Sequence, residues 1–313
     1  MRIALLKGGI SPEREVSLKS AIAIENALSN LGYDFQTFDL PENDIIYNYK
    51  LLKSFDLVFL AYHGGMGEDG HTQAILESME IPFTGSNMVA SVTAMDKLLS
   101  KHIFVSLGIP TPKWLYYHIR NKRELNDKIS KIKKDIEIKL GDFPLIVKPS
   151  DGGSTIGLNY VERTDYLYPA IEESLKISPK VLIEEFFEGR EMTVSILTDK
   201  PLAIVEIKPS QKLYDYTCKY TKGMSEYVCP ADIPQTDNEI IKKYASQIFK
   251  EFGCSGYARI DLRYNNGEIT FLEVNTLPGM TNLSLVPMAA KQEGIEFDDL
   301  IRMIIEEALR KGV

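Results

Sequence analysis

The chain is short of cysteine, of excess positive charge and of long apolar runs. Each shortage removes a class of function. Its three cysteines, Cys218, Cys229 and Cys254, are odd in number and form no CxxC pair. That argues against a disulfide framework and against a thiolate zinc site. The formal net charge is −8, so the bulk basic footprint of a nucleic-acid binder is missing. A polyanionic ligand would need a local cluster of lysine and arginine instead. No apolar stretch approaches the roughly 18 residues that a membrane span requires. The opening MRIALLKGGISPEREV turns polar too early for a signal peptide. The expectation is a cytoplasmic protein with no membrane insertion and no nucleic-acid partner. No GxGxxG follows the first apolar strand, which removes a dinucleotide-binding dehydrogenase. In VKPSDGGSTIG the lysine precedes the glycines, which removes a Walker-type P-loop. No internal repeat or low-complexity segment is visible.

What is present is an ordinary globular composition: 313 residues, 44% hydrophobic and 26% charged, enough for two or three domains. Residues 2–8 read as a buried strand. Gly8-Gly9 turns the chain into a helix whose Ala21, Ile24, Ala27, Leu28 and Leu31 recur at helical spacing, closed by Gly32. Phe35–Phe38 and the near-continuous apolar DLVFLAYHG add two strands, HTQAILESM a helix and IPFTG a short strand. This order predicts a small parallel sheet with helices on its faces. Ligands of such sheets sit beyond the carboxyl ends of the strands, which here carry GGISPERE and HGGMGEDG. From about Ala94 the pattern changes. MDKLLSKHIFVSLG reads as one helix ended by Gly108 and Pro110. FPLIVKPS and LNYVER read as a hairpin around DGGSTIG. A helix near 165–177 precedes the strands KVLIEEFFEG, EMTVSIL and PLAIVEI. A helix over 237–252 leads to YARIDLRY and EITFLEVN, joined by Asn265-Asn266-Gly267, a strong hairpin signal. The last helix, FDDLIRMIIEEALRK, carries Leu300, Ile301, Ile304, Ile305 and Leu309 on one stripe.

Two clusters could carry chemistry. In the hairpin, Arg259 and Asp261 share one face of a strand, and Glu273 and Asn275 one face of its partner. Ile260, Leu262, Leu272 and Val274 are expected to point the other way. If the register sets the polar four opposite one another, two carboxylates and an amide oxygen suit Mg²⁺ completed by substrate phosphates. A surface hairpin with cross-strand charge pairs is the other reading. Both stay open from spacing alone, although the turn TLPGMT could aim backbone N–H groups at the same place. The second cluster is Lys148 at the end of an apolar strand, followed by Gly152, Gly153, Ser154, Thr155 and Gly157. A lysine there is costly unless it meets an anion, and glycines let backbone N–H groups approach phosphate oxygens. A merely structural turn stays open as well.

Eight segments together resemble the ATP-grasp superfamily and, within it, the D-alanine–D-alanine ligases. They are LKGGISPEREVSL, HGGMGEDG, TGSNMVASVTAMDKLLSK, VKPSDGGSTIG, EEFFEGREMTV, YDYTCKYTKGMSEY, GYARIDLR and EVNTLPGMTNLSLVP. They run in family order over essentially the whole chain. The resemblance implies a mixed α/β and α+β fold: an N-terminal parallel α/β domain over 1–95, a small central ATP-grasp domain over 96–183 and a C-terminal catalytic domain over 184–313. A lid is implied over about 212–226.

The resemblance also implies roles. Lys97, Lys148 and Lys219 would meet the phosphates of ATP. Glu184 and the backbone at Glu185 and Phe187 would meet the adenine edge, and Glu191 the ribose. Asp261, Glu273 and Asn275 would hold two Mg²⁺ ions, for which Mn²⁺ can substitute. Arg259 and the Gly279 N–H would stabilise a tetrahedral intermediate, and Ser284 with Leu285 would clamp the second substrate's carboxylate. Glu15 would pair with the first substrate's ammonium; read alone it is a helix-start acid that favours the dipole. His63 would lie beside the first substrate; read alone it is a structural histidine. In the irregular, tyrosine-rich segment Tyr214–Tyr227, Tyr220 would close over the first substrate, joined through Ser154 to Glu15. The implied reaction joins two D-alanines through an acyl phosphate, for peptidoglycan precursor synthesis, in a homodimer. Lys219-Tyr220 favours D-alanine as second substrate over D-lactate or D-serine. A non-catalytic nucleotide-binding relative is the reading from another class.

Overall fold

The computed structural model describes residues 1–153, 155–210, 223–281 and 284–311. Its described strands form three sheets. The first is parallel, in the order β2-β1-β3, with β1 Arg2–Lys7 between β2 Asp34–Asp39 and β3 Leu57–Leu60. Ile3–Leu6 and Leu57–Leu60 are wholly buried, as strands covered on both faces must be. Helix α1, Arg14–Asn30, buries Ala21, Ile24, Ala27 and Leu28 on one stripe, and Gly32 at φ +73° closes it. A 3₁₀ turn over Glu42–Asn48 and the short α2 Tyr49–Leu52 follow β2. Neither has a clean apolar period, so the sequence pattern does not reveal them. IPFTG, expected as a strand, contributes only the isolated bridge Phe83 to Val58.

After α3 His71–Ser78 comes α4 Met88–Met95, which was not expected, and then the helix expected at MDKLLSKHIFVSLG, α5 Lys97–Ser106, with the break between them at Asp96. Asp96 is extended, with ψ 104°, and its Oδ1 accepts the Leu98 N–H as the N-cap of α5. The Ser150 hydroxyl and the Lys180 ammonium hold that carboxylate from another part of the chain. A capping acid fixed by tertiary partners thus separates the two helices.

The second sheet is antiparallel, β4-β7-β5-β6, from Trp114–His118, Lys180–Glu185, Leu145–Pro149 and Asn159–Val161. The β5–β6 pair is the expected hairpin. Helices α6 Lys122–Lys139 and α7 Leu167–Leu175 belong to this region. The charge-rich α6 was not visible in the pattern, because only Leu125, Ile132 and Ile136 of its 18 residues are buried.

The third sheet runs β10-β9-β8-β11-β12. Its strands are β8 Arg190–Leu197, β9 Lys200–Pro209, β10 Ser225–Val228, β11 Tyr257–Asn265 and β12 Glu268–Asn275. Helix α8 is Gln235–Glu251. Two further helices, α9 Leu285–Gln292 and α10 Phe297–Lys311, end the described chain. Their buried Val286, Ala289, Ile301, Ile304 and Ile305 join the hydrophobic core of the parallel sheet, together with Leu197, Val205 and Tyr257 of the third sheet. One apolar cluster therefore ties the first and last parts of the sequence together.

Candidate active site

The β11–β12 hairpin has the register that brings its polar face together. Arg259 lies opposite Asn275, and Asp261 opposite Glu273. The Asn266 and Gly267 turn, at φ +47° and +95°, is of the kind that pins a hairpin register. Arg259 donates to both oxygens of Asp261, from Nε at 2.8 Å and Nη2 at 2.9 Å. Asn275 Oδ1 accepts the Leu277 N–H at 2.9 Å, which starts the turn toward Gly279. One expectation changes. The register slips after Asp261, so that Leu262 pairs with Phe271. This bulge breaks the strict alternation, and Leu272 lines the smaller cavity beside Glu273 instead of joining Ile260, Leu262 and Val274.

The lysines converge on the same region. Lys97, the first residue of α5, donates to the Gly152 carbonyl at 2.6 Å and lies 3.5 Å from Glu273 Oε2. Lys148 lies 2.7 Å from Glu184 Oε2, and Lys101 lies 2.9 Å from Glu184 Oε1. Lys101 also donates to Thr111 Oγ1 at 2.8 Å and to the Pro112 carbonyl at 3.0 Å. Burial, countered by Glu184, brings the Lys101 ammonium down to about 8. Burial alone would raise the Glu184 carboxyl, but Lys101 and Lys148 outweigh it and hold the group below its ordinary value. The Glu184 side chain is thus engaged with two cations. The Glu185 N–H bonds the Lys113 carbonyl, and its carboxylate accepts the Lys113 N–H. The Phe187 carbonyl and the Glu191 carboxylate both accept from Arg263.

Two cavities meet here. The smaller, about 100 Å³, is lined by Lys97, Lys148, Glu184, Glu185, Phe187, Glu191, Asp261 and Glu273. The larger, about 1070 Å³, is lined by Glu15, His63, Lys97, Arg259, Glu273, Asn275, Gly279, Ser284 and Leu285. Lys97, Gly152, Gly153 and Glu273 line both. Every expected site residue within the described part therefore borders one cavity or the other. Ser154, Lys219, Tyr220 and most of the expected lid lie outside the described residues.

The larger cavity is built from three parts of the chain. Glu15 stands in the first turn of α1. His63 lies three residues past the end of β3, and its ring bridges two regions. Nδ1 faces the Leu277 carbonyl at 3.2 Å, and Nε2 faces Ser20 Oγ at 2.9 Å. A carbonyl can only accept, so Nδ1 carries the proton and Ser20 donates to Nε2. Ser20 Oγ in turn accepts the Met280 N–H. Burial keeps the imidazole neutral, down to about 4. This relay fixes the 277–280 turn against α1. Gly279 has no room for a side chain, because a Cβ would lie 2.9 Å from Ser284 Oγ. Ser284 stands at the N-cap position of α9 without a side-chain cap bond, where helix N–H groups favour an anion. Burial, then Glu13, raises the Glu68 carboxyl to about 7, and both acids border this cavity.

Sequence reasoning missed Lys101, Arg263, Glu13 and Glu68. Two of these had a signal. Lys101 sits four residues after Lys97 on the buried stripe of α5, and Arg263 continues the alternation Arg259, Asp261.

The donor set suits Mg²⁺: two carboxylates and an amide oxygen at matched register. Among the described residues no group of three or more His, Cys, Asp or Glu forms a metal cage.

A parallel α/β sheet and two antiparallel sheets that grip a lysine- and carboxylate-lined cleft define an ATP-grasp architecture. Comparison with known proteins agrees. Residues 103–306 match the family described as D-ala D-ala ligase C-terminus, and residues 40–86 match D-ala D-ala ligase N-terminus. A D-alanine–D-alanine ligase of Aquifex aeolicus is 44% identical, covering 97% of this chain and 100% of its own. One of Thermotoga petrophila is 40% identical, covering 100% and 99%. The crystal structure of the Bacillus anthracis D-alanine–D-alanine ligase complexed with ATP superposes with a TM-score of 0.83 at 35% identity, covering 99% and 97%. The VanG D-Ala:D-Ser ligase of Enterococcus faecalis superposes at 0.82 with 30% identity, covering 98% and 99%. The chain belongs to the D-alanine–D-alanine ligase family.

Proposed function

We propose that the protein joins two D-alanines at the expense of ATP, forming D-alanyl-D-alanine for peptidoglycan precursors. The observation that carries this reading is the junction of the two cavities at Lys97 and Glu273. A triphosphate in the smaller cavity points its end group at a carboxylate in the larger one. Lys97 and Lys148 neutralise phosphate charge, and Lys219, outside the described residues, belongs to the same set. Glu184, Glu185, Phe187 and Glu191 surround the nucleoside. Asp261, Glu273 and Asn275 would hold Mg²⁺, which supplies charge neutralisation to the phosphates.

Phosphoryl transfer asks the protein for positioning and charge compensation more than for a nucleophile. The γ-phosphoryl group passes to the carboxylate of the first D-alanine, whose ammonium Glu15 holds, and ADP leaves. The amine of the second D-alanine attacks the acyl phosphate, and phosphate leaves. Arg259 and the Gly279 N–H stand where the carbonyl oxygen gains charge, as preorganised donors do in acyl transfer. Ser284 and Leu285, at the start of α9, receive the second carboxylate. His63 holds the turn that carries Gly279. Ser154 and Tyr220 complete the closure over the first substrate, which keeps water from the acyl phosphate. The protein works as a cytoplasmic homodimer on small molecules. Among the described residues no helix is long and apolar enough to cross a membrane.

The test is ADP release with D-alanine alone, and with D-lactate or D-serine added as second substrate. ADP formation matched by D-alanyl-D-alanine is the expected result. The shared fold of a D-Ala:D-Ser ligase makes the serine arm necessary, and preferred use of D-lactate or D-serine would overturn the choice of second substrate. No ADP release under any condition would favour a binding protein.

A further inference from the structure

Arg263 is a buried arginine that the proposed reaction leaves without a task. It stands on β11, two residues after Asp261, and is 8% exposed. Its guanidinium makes three contacts at the wall of the smaller cavity. Nη2 donates to Glu191 Oε2 at 3.0 Å, and Nη1 donates to the Phe187 carbonyl at 3.1 Å. The guanidinium carbon lies 4.8 Å from the centre of the Phe186 ring, which meets the Tyr160 ring edge to face at 4.9 Å. The placement follows from the sheet. Arg263 is the direct cross-strand neighbour of Glu191 on β8. The chain reaches Glu191 over a tight turn at Gly189, where a Cβ would lie 2.8 Å from the Tyr264 carbonyl. Arg263, Phe186, Phe187 and Glu191 all line the cavity.

We propose that Arg263 is a positioning residue for the nucleoside, through which Glu191 recognises a ribose diol, and that it makes the protein select purine ribonucleotides over 2′-deoxyribonucleotides. The inference rests on the nucleotide reading of the smaller cavity. An ionised carboxylate accepts well from two neighbouring hydroxyls, but a free glutamate must be ordered before it can do so. Arg263 supplies that order in advance. One guanidinium arm fixes a Glu191 oxygen, and the other ties the backbone at Phe187. The planar guanidinium on Phe186 adds a flat wall to the slot, of the kind on which a heterocycle stacks. Lysine could supply the charge but not the two-armed fork or the flat face. A merely structural ion pair would raise the KM for every nucleotide alike. A positioning role falls more heavily on the nucleotide that has both hydroxyls than on the one that keeps only the 3′-hydroxyl.

The experiment compares kcat/KM for ATP and for 2′-deoxyATP, with D-alanine saturating, in the wild type, Arg263→Met, Arg263→Lys and Glu191→Gln. The wild type is expected to prefer ATP about tenfold, the scale of one charge-assisted hydrogen bond. Arg263→Met is expected to lose most of that preference, with the larger loss falling on ATP. Arg263→Lys is expected to fall between the two, and it carries the test if the methionine variant does not fold. Adding Arg263→Met to Glu191→Gln should change the ratio no further. An unchanged ratio in the Arg263 variants, a wild type without preference, or a second equal drop in the double variant would each overturn the inference. A wild type that makes no dipeptide from ATP and D-alanine would instead refute the nucleotide reading beneath it.

Discussion

Replacing Lys101 by methionine tests how the smaller cavity holds its charge. The Lys101 side chain is wholly buried and touches four groups. They are Glu184 at 2.9 Å, Thr111 Oγ1 at 2.8 Å, the Pro112 carbonyl at 3.0 Å and the Trp114 ring at 5.2 Å. Removing one partner of a buried pair costs about 3–5 kcal/mol when the other charge is stranded. Here the stranding is incomplete, because Lys148 still faces the other oxygen of Glu184 at 2.7 Å. Burial has also weakened the ammonium, which titrates near 8, so the pair starts from a partly spent position. Methionine fills most of the volume and leaves little cavity. These corrections bring the expected loss to about 2 kcal/mol. The chain has a single tryptophan, Trp114, in β4 beside Lys101. Urea unfolding followed by its fluorescence therefore reports on the right sheet. The midpoint should fall without a change in slope. Glu184→Gln alone should also destabilise. In the double variant the two losses should not add, with coupling of about 1 kcal/mol or more. Additive losses, or a Lys101→Met protein within about 0.5 kcal/mol of wild type, would refute this account of the pair. The same variant leaves Lys148 as the only cation paired with Glu184 among the described residues, so the KM for ATP should rise.

Two more outcomes follow from the larger cavity. Gly279→Ala would place a Cβ 2.9 Å from Ser284 Oγ, which is tied to Thr281. A loss of about 1–2 kcal/mol in thermal unfolding is expected, the scale of a small overpacking, with Ser284→Ala in the same chain recovering part of it; equal stability of Gly279→Ala and wild type would count against the crowding. His63 is neutral when folded down to about pH 4, against an ordinary value of 6.5. Between these values the unfolded chain binds a proton that the native state does not, so stability falls as pH drops from 6.5 to 4 and then levels off. The contribution is about 3 kcal/mol at full extent. Subtracting the His63→Asn curve from the wild-type curve isolates it, and a flat difference over that window would show that the ring is protonated in the native state.

Much of the site is legible without coordinates, for a local reason. An Asn-Gly turn pins a hairpin register, so a two-residue spacing on each strand was enough to bring Arg259, Asp261, Glu273 and Asn275 to one face. The same alternation reaches Arg263. The parallel sheet was legible because strands covered on both faces must be apolar throughout. Three features needed the tertiary structure. Asp96 separates α4 from α5 because Ser150 and Lys180 hold its carboxylate from afar. The bulge after Asp261 turns Leu272 into the smaller cavity, and a one-residue slip leaves no mark in the pattern. The pairing of Lys101 and Lys148 with Glu184 joins three separate elements. A charge at a buried position announces in sequence that it needs a partner, but only the folded chain decides which one.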